Sequence, residues 1–213
     1  MANLAKFLAK NIEGYLFNDL RSLIGTPPLA GQEDKGVGYP LVMTAFAGIE
    51  LLGALLSKKT FDAHDGDIYF KNYWTKYLYL SLPDTENIGV SLYRLVRHGI
   101  AHSYVLKGQI GVLRRQPSLH LKRNDGGLVC IDAVQLANDL IQSYDSIVPS
   151  IVALRTGTVN GITMSQRLNE MEDRYKTQAS SRPLSSFPNI TVAESTAIST
   201  TFSPPTSAHP FEP

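Results

Sequence analysis

Hydrophobic residues recur at helical spacing along the first half of the chain. From about Asn3 to Ile24 they form a single stripe, which predicts an amphipathic helix. A nearly uncharged stretch from Tyr39 to Ser57 predicts a second helix that is buried on most sides. The aromatic-rich segment DIYFKNYWTKYLYL predicts a third helix, and a fourth is expected from about Glu86 onward. The pattern therefore indicates a mainly α fold, a bundle of four to five helices.

The pattern changes after about residue 102. The stretches SYVLKGQIGVLRR and SLHLKRNDGGLVCI are rich in β-branched and alternating apolar residues, with glycine-containing turns. They predict a small antiparallel β-ribbon at about residues 103–131. Asp132 is placed to cap a further amphipathic helix, which Pro149 is expected to kink or end. A shorter polar helix is predicted from about Ser165 to Lys176.

The last part of the chain has a different composition. Residues 177–213 are dominated by Ser, Thr and Pro and contain no helical or alternating apolar run. Such a segment cannot bury enough apolar surface to offset the entropy lost on ordering. We therefore expect one folded domain over residues 1–176, followed by a disordered tail.

Charge and cysteine content narrow the classes of function. The formal net charge is only +1, so the whole protein offers no polybasic surface for nonspecific binding to nucleic acid or membrane. The single cysteine, Cys130, excludes an internal disulfide and a cysteine-based zinc cluster, and it suits a reducing compartment. The N-terminal periodic segment carries Glu13, Asp19 and Arg21, which a signal peptide would not. We expect a cytoplasmic protein.

One stretch has the length of a short membrane span. Tyr39 to Leu56 comprises 18 residues with a single charge, Glu50, near the centre. A central core helix is the alternative that we favour, because a carboxylate at mid-bilayer is costly. Within a core, Glu50 needs a partner, and Arg94 or Arg97 is the natural one.

The segment YRLVRHGIAHSYV carries the candidate chemistry. It places Arg94, Arg97, His98 and His102 among apolar residues. A solvated helix face would explain such a stripe, and His98 with His102 could bind a metal at i, i+4 spacing. The third interpretation is a site for phosphodiester chemistry on RNA. Arginine suits phosphate and histidine moves protons near neutral pH, while the 2′-hydroxyl supplies the nucleophile.

The run RHGIAHSY, starting at Arg97, resembles the signature of the HEPN superfamily, which consists of helical-bundle proteins. That signature is an arginine, a polar residue, three variable residues and a histidine; here these are Arg97, His98 and His102. The family favours asparagine where this chain has His98. In one toxin branch the motif continues to a tyrosine that is modified by a nucleotidyltransferase antitoxin, and Tyr104 occupies that position.

The resemblance implies an HEPN-like bundle that acts as a homodimer. The β-ribbon that the residue pattern predicts after the motif helix is an addition that the smallest members of the family lack. It further implies a metal-independent endoribonuclease without a cofactor, acting on single-stranded RNA in a toxin–antitoxin or phage-defence setting. Arg97, His102, His98 and Glu50 would form the catalytic group, and Arg94 and Tyr104 would bind substrate. The alternative is a noncatalytic HEPN-like module that binds a nucleotide, RNA or a protein.

Overall fold

The protein is mainly helical, as the hydrophobic pattern predicts. The computed structural model describes residues 4–28, 30–31, 36–57, 59–82, 85–97, 99–100, 110–153, 158–159 and 162–180. The predicted tail lies outside these residues, apart from residues 177–180, which belong to a helix that was expected to end at about Lys176.

The first four helices follow the predicted order, and three of them contain a π-helical stretch. Helix α1 covers residues 4–25 and is π-helical over Leu8–Leu16. Helix α2 is Gly38–Leu55. Helix α3 covers residues 66–78, with an α-helical Gly66–Tyr73 followed by a π-helical Trp74–Leu78. Helix α4 covers residues 85–97 of the described chain, with an α-helical Thr85–Leu92 followed by a π-helical Tyr93–Arg97.

The apolar helix α2 forms the centre of the fold. It packs against α1 and α3 and against two helices later in the chain. It is the helix in the described part of the chain that is long and apolar enough to cross a membrane, with a mean hydropathy of 1.4. However, 56% of it is buried inside the protein, as is typical of a core helix.

Helices α2 and α3 approach each other so closely that one position admits only glycine. A Cβ atom at Gly53 would lie 1.9 Å from the backbone oxygen of Tyr69. Tyr69 and its neighbour Phe70 are buried in the core, where Phe70 packs against Phe46 of α2 at a ring-centroid distance of 4.7 Å. The absence of a side chain at Gly53 therefore sets the position of α3, which contributes to the site described below.

The β-structure differs from the prediction. Strands β1 (Ile110–Leu113) and β2 (Val129–Asp132) pair in parallel, with Ile110 opposite Val129. The prediction of an antiparallel β-ribbon at residues 103–131 is therefore wrong for this sheet. Residues 103–109 lie outside the described part of the chain. The Gly-rich turn does reverse the chain, because Asn124 N–H donates to Leu128 O at 2.9 Å.

The parallel pairing has a physical reason. Strand β1 is followed by Arg115, whose φ of 62° lies in the left-handed region and redirects the chain. Residues 114–128 then form a connection that includes a 3₁₀ turn, Pro117–Leu119. Parallel strands need a connection of roughly a dozen residues or more, and this one is long enough.

Two further helices complete the described fold. Helix α5 is Ala133–Ala153, and the predicted cap is confirmed, since the Asp132 carboxylate accepts the Gln135 N–H at 2.7 Å. Pro149 does not end this helix, which continues to Ala153. A short antiparallel pair, β3 (Thr158–Val159) with β4 (Ile162–Thr163), leads into α6, Met164–Ser180.

Candidate functional site

An ion pair joins the core helix to the start of the predicted motif. Arg97, the last residue of the π-helical turn in α4, forms a salt bridge through Nη1 with Oε2 of Glu50 on α2. The side chains are 36% and 23% exposed, respectively. The prediction that Glu50 pairs with Arg94 or Arg97 is confirmed, with Arg97 as the partner.

Tyr93 completes this cluster, and sequence analysis did not assign it a role. Its hydroxyl donates to Glu50 Oε2 at 3.1 Å and accepts a hydrogen bond from Arg97 Nη1 at 2.8 Å. The Arg97 guanidinium also lies 5.2 Å from the centroid of the Tyr93 ring, within cation–π distance. Burial, reinforced by the nearby Asp67 carboxylate, raises the pKa of Tyr93 to about 12. The hydroxyl therefore stays protonated at neutral pH and serves as a donor.

Gly66 is a second position that the sequence did not reveal. It is the first residue of α3, and a Cβ atom there would lie 2.4 Å from the Tyr93 hydroxyl and 2.7 Å from Glu50 Oε1. Both distances are shorter than real Cβ contacts. The cluster formed by Glu50, Tyr93 and Arg97 therefore depends on a glycine at the start of α3.

The π-helical turn Tyr93–Arg97 carries both arginines of the segment YRLVRHGIAHSYV, and they have different partners. Arg94 pairs with Asp67 of α3 at 2.9 Å and is 64% exposed, whereas Arg97 faces Glu50. Single π-helical turns are rare and frequently lie at functional sites. Arg94, predicted to bind substrate, thus lies on the surface of the same end of the bundle.

A pocket opens beside the ion pair. Its volume is about 160 Å³. Apart from Glu50 and Arg97, the described side chains that line it carry no charge: they are Ala47, Leu51, Ala54, Phe61, Ala63, Tyr69 and Met171. The rings of Phe61 and Tyr69 stand nearly parallel, 5.8 Å apart with 12° between their planes.

The loop that supplies Phe61 is held in place by α6. Glu170 accepts the Phe61 backbone N–H at 3.1 Å and forms an ion pair with Arg167. Arg167 is buried and donates through Nη2 to the backbone oxygen of Ser57 at 3.2 Å. Since these contacts join residues far apart in the chain, the wall of the pocket is fixed by the fold rather than by local sequence.

His98, His102 and Tyr104 lie outside the residues that the structure describes. The same holds for the alternative metal pair of His98 and His102. Within the described ranges, no group of three or more His, Cys, Asp or Glu side chains is placed to hold a metal ion.

A second polar cluster lies away from the pocket and was also unexpected. The Tyr79 hydroxyl donates to Asp139 Oδ2 at 2.7 Å and lies 2.8 Å from His120 Nε2. The Asp132 backbone N–H donates to His120 Nδ1 at 3.0 Å, which assigns the ring proton to Nε2 in the neutral form. Burial lowers the pKa of His120, although Asp139 and Asp132 act in the opposite direction.

No family profile, curated protein or solved structure matches the chain. The resemblance to the HEPN superfamily therefore depends on the motif from Arg97 to His102, and what it implies is taken up as a proposal below.

Proposed function

We propose that the protein is a metal-independent endoribonuclease of HEPN type that cleaves single-stranded RNA by attack of a 2′-hydroxyl. The observation that supports this most is the placement of Arg97. Its guanidinium is oriented by Glu50 and Tyr93 at the edge of a pocket and keeps 36% of the side chain exposed. A preorganised arginine of this kind stabilises charge that develops on a phosphate.

The proposed reaction needs one acid, one base and one cation. The 2′-oxygen forms a bond to phosphorus while the bond to the 5′-oxygen of the next nucleotide breaks. His102 acts as general base or general acid in this exchange of protons. In the homodimer that the resemblance implies, His102 of one protomer takes the 2′ proton and His102 of its partner protonates the leaving oxygen. Arg97 stabilises the charge on the nonbridging oxygens.

The other residues have supporting roles in this proposal. Glu50 holds Arg97 through the salt bridge, and Tyr93 donates to the same carboxylate oxygen. His98 orients the histidine that transfers protons, and Arg94 contacts the RNA backbone from the surface. Tyr104 binds substrate or, in a toxin setting, accepts a modification from an antitoxin. We place this activity in the cytoplasm, where the unpaired thiol of Cys130 is stable.

One observation favours the alternative, a noncatalytic binding module. Glu50 neutralises the charge of Arg97 locally, and the chain as a whole carries a net charge of only +1. A neutral site attracts a phosphate backbone weakly, because such binding depends on unpaired cations. The pocket would then hold the uncharged part of a nucleotide, or a partner side chain, without chemistry.

Substitution of His102 separates the two functions. In the proposed enzyme His102→Ala lowers the rate of RNA cleavage by about a hundred- to ten-thousand-fold, the usual contribution of general acid–base catalysis. The matched control is His64→Ala, which removes an exposed histidine on the loop next to the pocket and leaves the rate unchanged. The assay uses labelled single-stranded RNA and purified protein.

The products and the metal dependence complete this test. Cleavage leaves a 2′,3′-cyclic phosphate end and persists in EDTA. A wild-type protein that cleaves none of a varied set of RNAs, or one that EDTA inactivates, contradicts the ribonuclease proposal. Retained binding of a nucleotide in such a protein would support the noncatalytic module instead.

A further inference from the structure

We propose that Asp67 competes with the RNA backbone for Arg94, so that this carboxylate keeps the affinity of the site for RNA low. The inference rests on the proposed function, in which Arg94 contacts RNA, and deepens it by naming a residue that regulates binding. It is carried by three observations: the pairing of Arg94 with Asp67, the exposure of that pair, and the balance of charge around it.

The pair formed by Arg94 and Asp67 is open to solvent. Arg94 Nη2 lies 2.9 Å from Asp67 Oδ2, and the two side chains are 64% and 29% exposed, respectively. An exposed pair of this kind gains little free energy from its contact, because water solvates both charges when they separate. A phosphate can therefore reach Arg94, but it must replace a carboxylate that the fold already holds beside the guanidinium.

The other arginine of the same π-helical turn is held differently. Arg97 pairs with Glu50, and the Tyr93 hydroxyl is hydrogen-bonded to both side chains. In the proposed enzyme this pair stays intact, because Glu50 orients the guanidinium toward the phosphate. Of the two arginines, Arg94 is thus the one whose carboxylate partner is exchanged for RNA.

The charges of the two pairs balance. Arg94 and Arg97 carry two positive charges, and Asp67 and Glu50 carry two negative ones. Binding of a phosphate backbone depends on the number of phosphates that cations of the protein neutralise. Loss of the Asp67 charge would leave these four positions with a net charge of +1 and would leave Arg94 available to a phosphate.

The experiment compares the wild type with Asp67→Asn, which keeps the size of the side chain and removes its charge. The ligand is a fluorescent single-stranded RNA with 2′-O-methyl groups, which cannot be cleaved by attack of the 2′-oxygen. At low ionic strength we expect about three- to tenfold tighter binding, near the effect of two unit charges about 4 Å apart in water. Fluorescence anisotropy measures the affinity.

The dependence on salt is a second readout. The gain in affinity should shrink as salt screens the exposed charges. The slope of the logarithm of the binding constant against the logarithm of salt concentration should become steeper by about 0.7, the value for one further phosphate contact on a single strand.

Two variants separate competition for Arg94 from a general effect of charge. Asp65 is the N-cap residue at the start of the same helix, and in the described part of the chain it forms no salt bridge. Asp65→Asn therefore changes the net charge equally, and it should alter the affinity by less than about twofold. In an Arg94→Gln background, Asp67→Asn should give no more gain than Asp65→Asn, because the two partners act as a unit.

Three results would overturn the inference: equal affinities of Asp67→Asn and Asp65→Asn, a gain that persists without Arg94, or no binding by Asp67→Asn. The proposed ribonuclease is judged separately, by cleavage of unmodified RNA. Tighter binding by Asp67→Asn without cleavage by the wild type would support the competition and contradict the enzyme. Cleavage without an effect of Asp67 would support the enzyme and contradict the competition.

Discussion

Two clusters in this protein combine a tyrosine hydroxyl, a carboxylate and a basic side chain, yet they occupy different environments. In the first, Tyr93 joins Glu50 and Arg97 at the edge of an open pocket, and Arg97 is 36% exposed. In the second, Tyr79 joins Asp139 and His120, and the His120 side chain is only 7% exposed. The same types of residue thus form a candidate binding site in one place and an internal connection in the other.

The difference lies in what each cluster connects. The first joins α2 to the π-helical turn of α4 and lies beside a pocket. The second joins the end of α3 to the connection after β1 and to α5, with the Tyr79 ring packed on Trp74 at 4.4 Å. Residue type alone does not assign chemistry, because exposure and a neighbouring cavity decide whether a substrate can reach the groups.

The largest expected effect concerns the Arg97 guanidinium in the cluster of Glu50, Tyr93 and Arg97. Arg97→Lys should lower RNA cleavage by about a hundredfold or more, because an ammonium group cannot reproduce the planar contacts of arginine with a phosphate. Single-turnover rates with labelled RNA measure this. Arg21→Lys, which changes an exposed arginine of α1, is the control and should remain within about twofold. Equal rates for the two variants would remove Arg97 from the catalytic group.

The next prediction tests whether the cluster of Glu50, Tyr93 and Arg97 requires the missing side chain at Gly66. Gly66→Ala should lower the free energy of unfolding by about 1–3 kcal/mol, because the new Cβ collides with the Tyr93 hydroxyl and Glu50. Gly25→Ala is the matched control, since nothing lies within 4 Å of its Cβ position. Urea denaturation gives both values.

A double variant sharpens this prediction. Tyr93→Phe removes the nearer of the two colliding atoms, so Gly66→Ala should cost less in that background than in the wild type. If the two substitutions change the free energy of unfolding additively, the new Cβ atom does not collide with the Tyr93 hydroxyl.

Removal of each tyrosine hydroxyl compares the clusters directly. Tyr79→Phe should cost about 1–3 kcal/mol, because it removes the hydrogen bond of the buried His120 Nε2 and one of the hydrogen bonds of Asp139. Tyr93→Phe should cost less, about 0.5–1.5 kcal/mol, since Glu50 and Arg97 retain each other and some contact with solvent. Chemical denaturation of both variants is the measurement. The reverse order would show that the Tyr79 cluster is the less enclosed one.

The smallest effect is a dependence of stability on pH. Burial lowers the pKa of His120 below its ordinary value of 6.5, so the unfolded chain binds a proton more readily than the folded one. The free energy of unfolding should therefore fall as pH decreases below about 6.5, and the loss is complete below the folded pKa. His120→Gln should flatten this part of the profile. An unchanged slope in the variant would assign the dependence to other groups.

The helices and one contact of the site could be predicted from sequence, each for a physical reason. Apolar residues at helical spacing must bury one face, so the positions of α1 to α5 follow from periodicity. Glu50 stands alone on an apolar helix, and an unpaired buried carboxylate is costly, so its pairing with an arginine was predictable.

The remaining features depend on tertiary contacts that no local pattern encodes. Tyr93 reads as a core aromatic residue, and only the position of α2 brings Glu50 to its hydroxyl. Gly66 reads as part of a loop. The parallel pairing of β1 with β2 was missed because alternating apolar residues do not distinguish strand directions, and the turn at Asn124 suggested a hairpin.

The central position of α2 also has a consequence for how the chain folds. Until the surrounding helices pack on it, the chain presents an 18-residue helix-forming segment, Gly38–Leu55, in which Glu50 is the sole charged residue. Two unfolded chains can associate through such segments, and association depends on concentration whereas folding of one chain does not. Refolding yield should thus decline as protein concentration rises, and during synthesis this segment is a natural binding site for chaperones until α3 and α5 cover it.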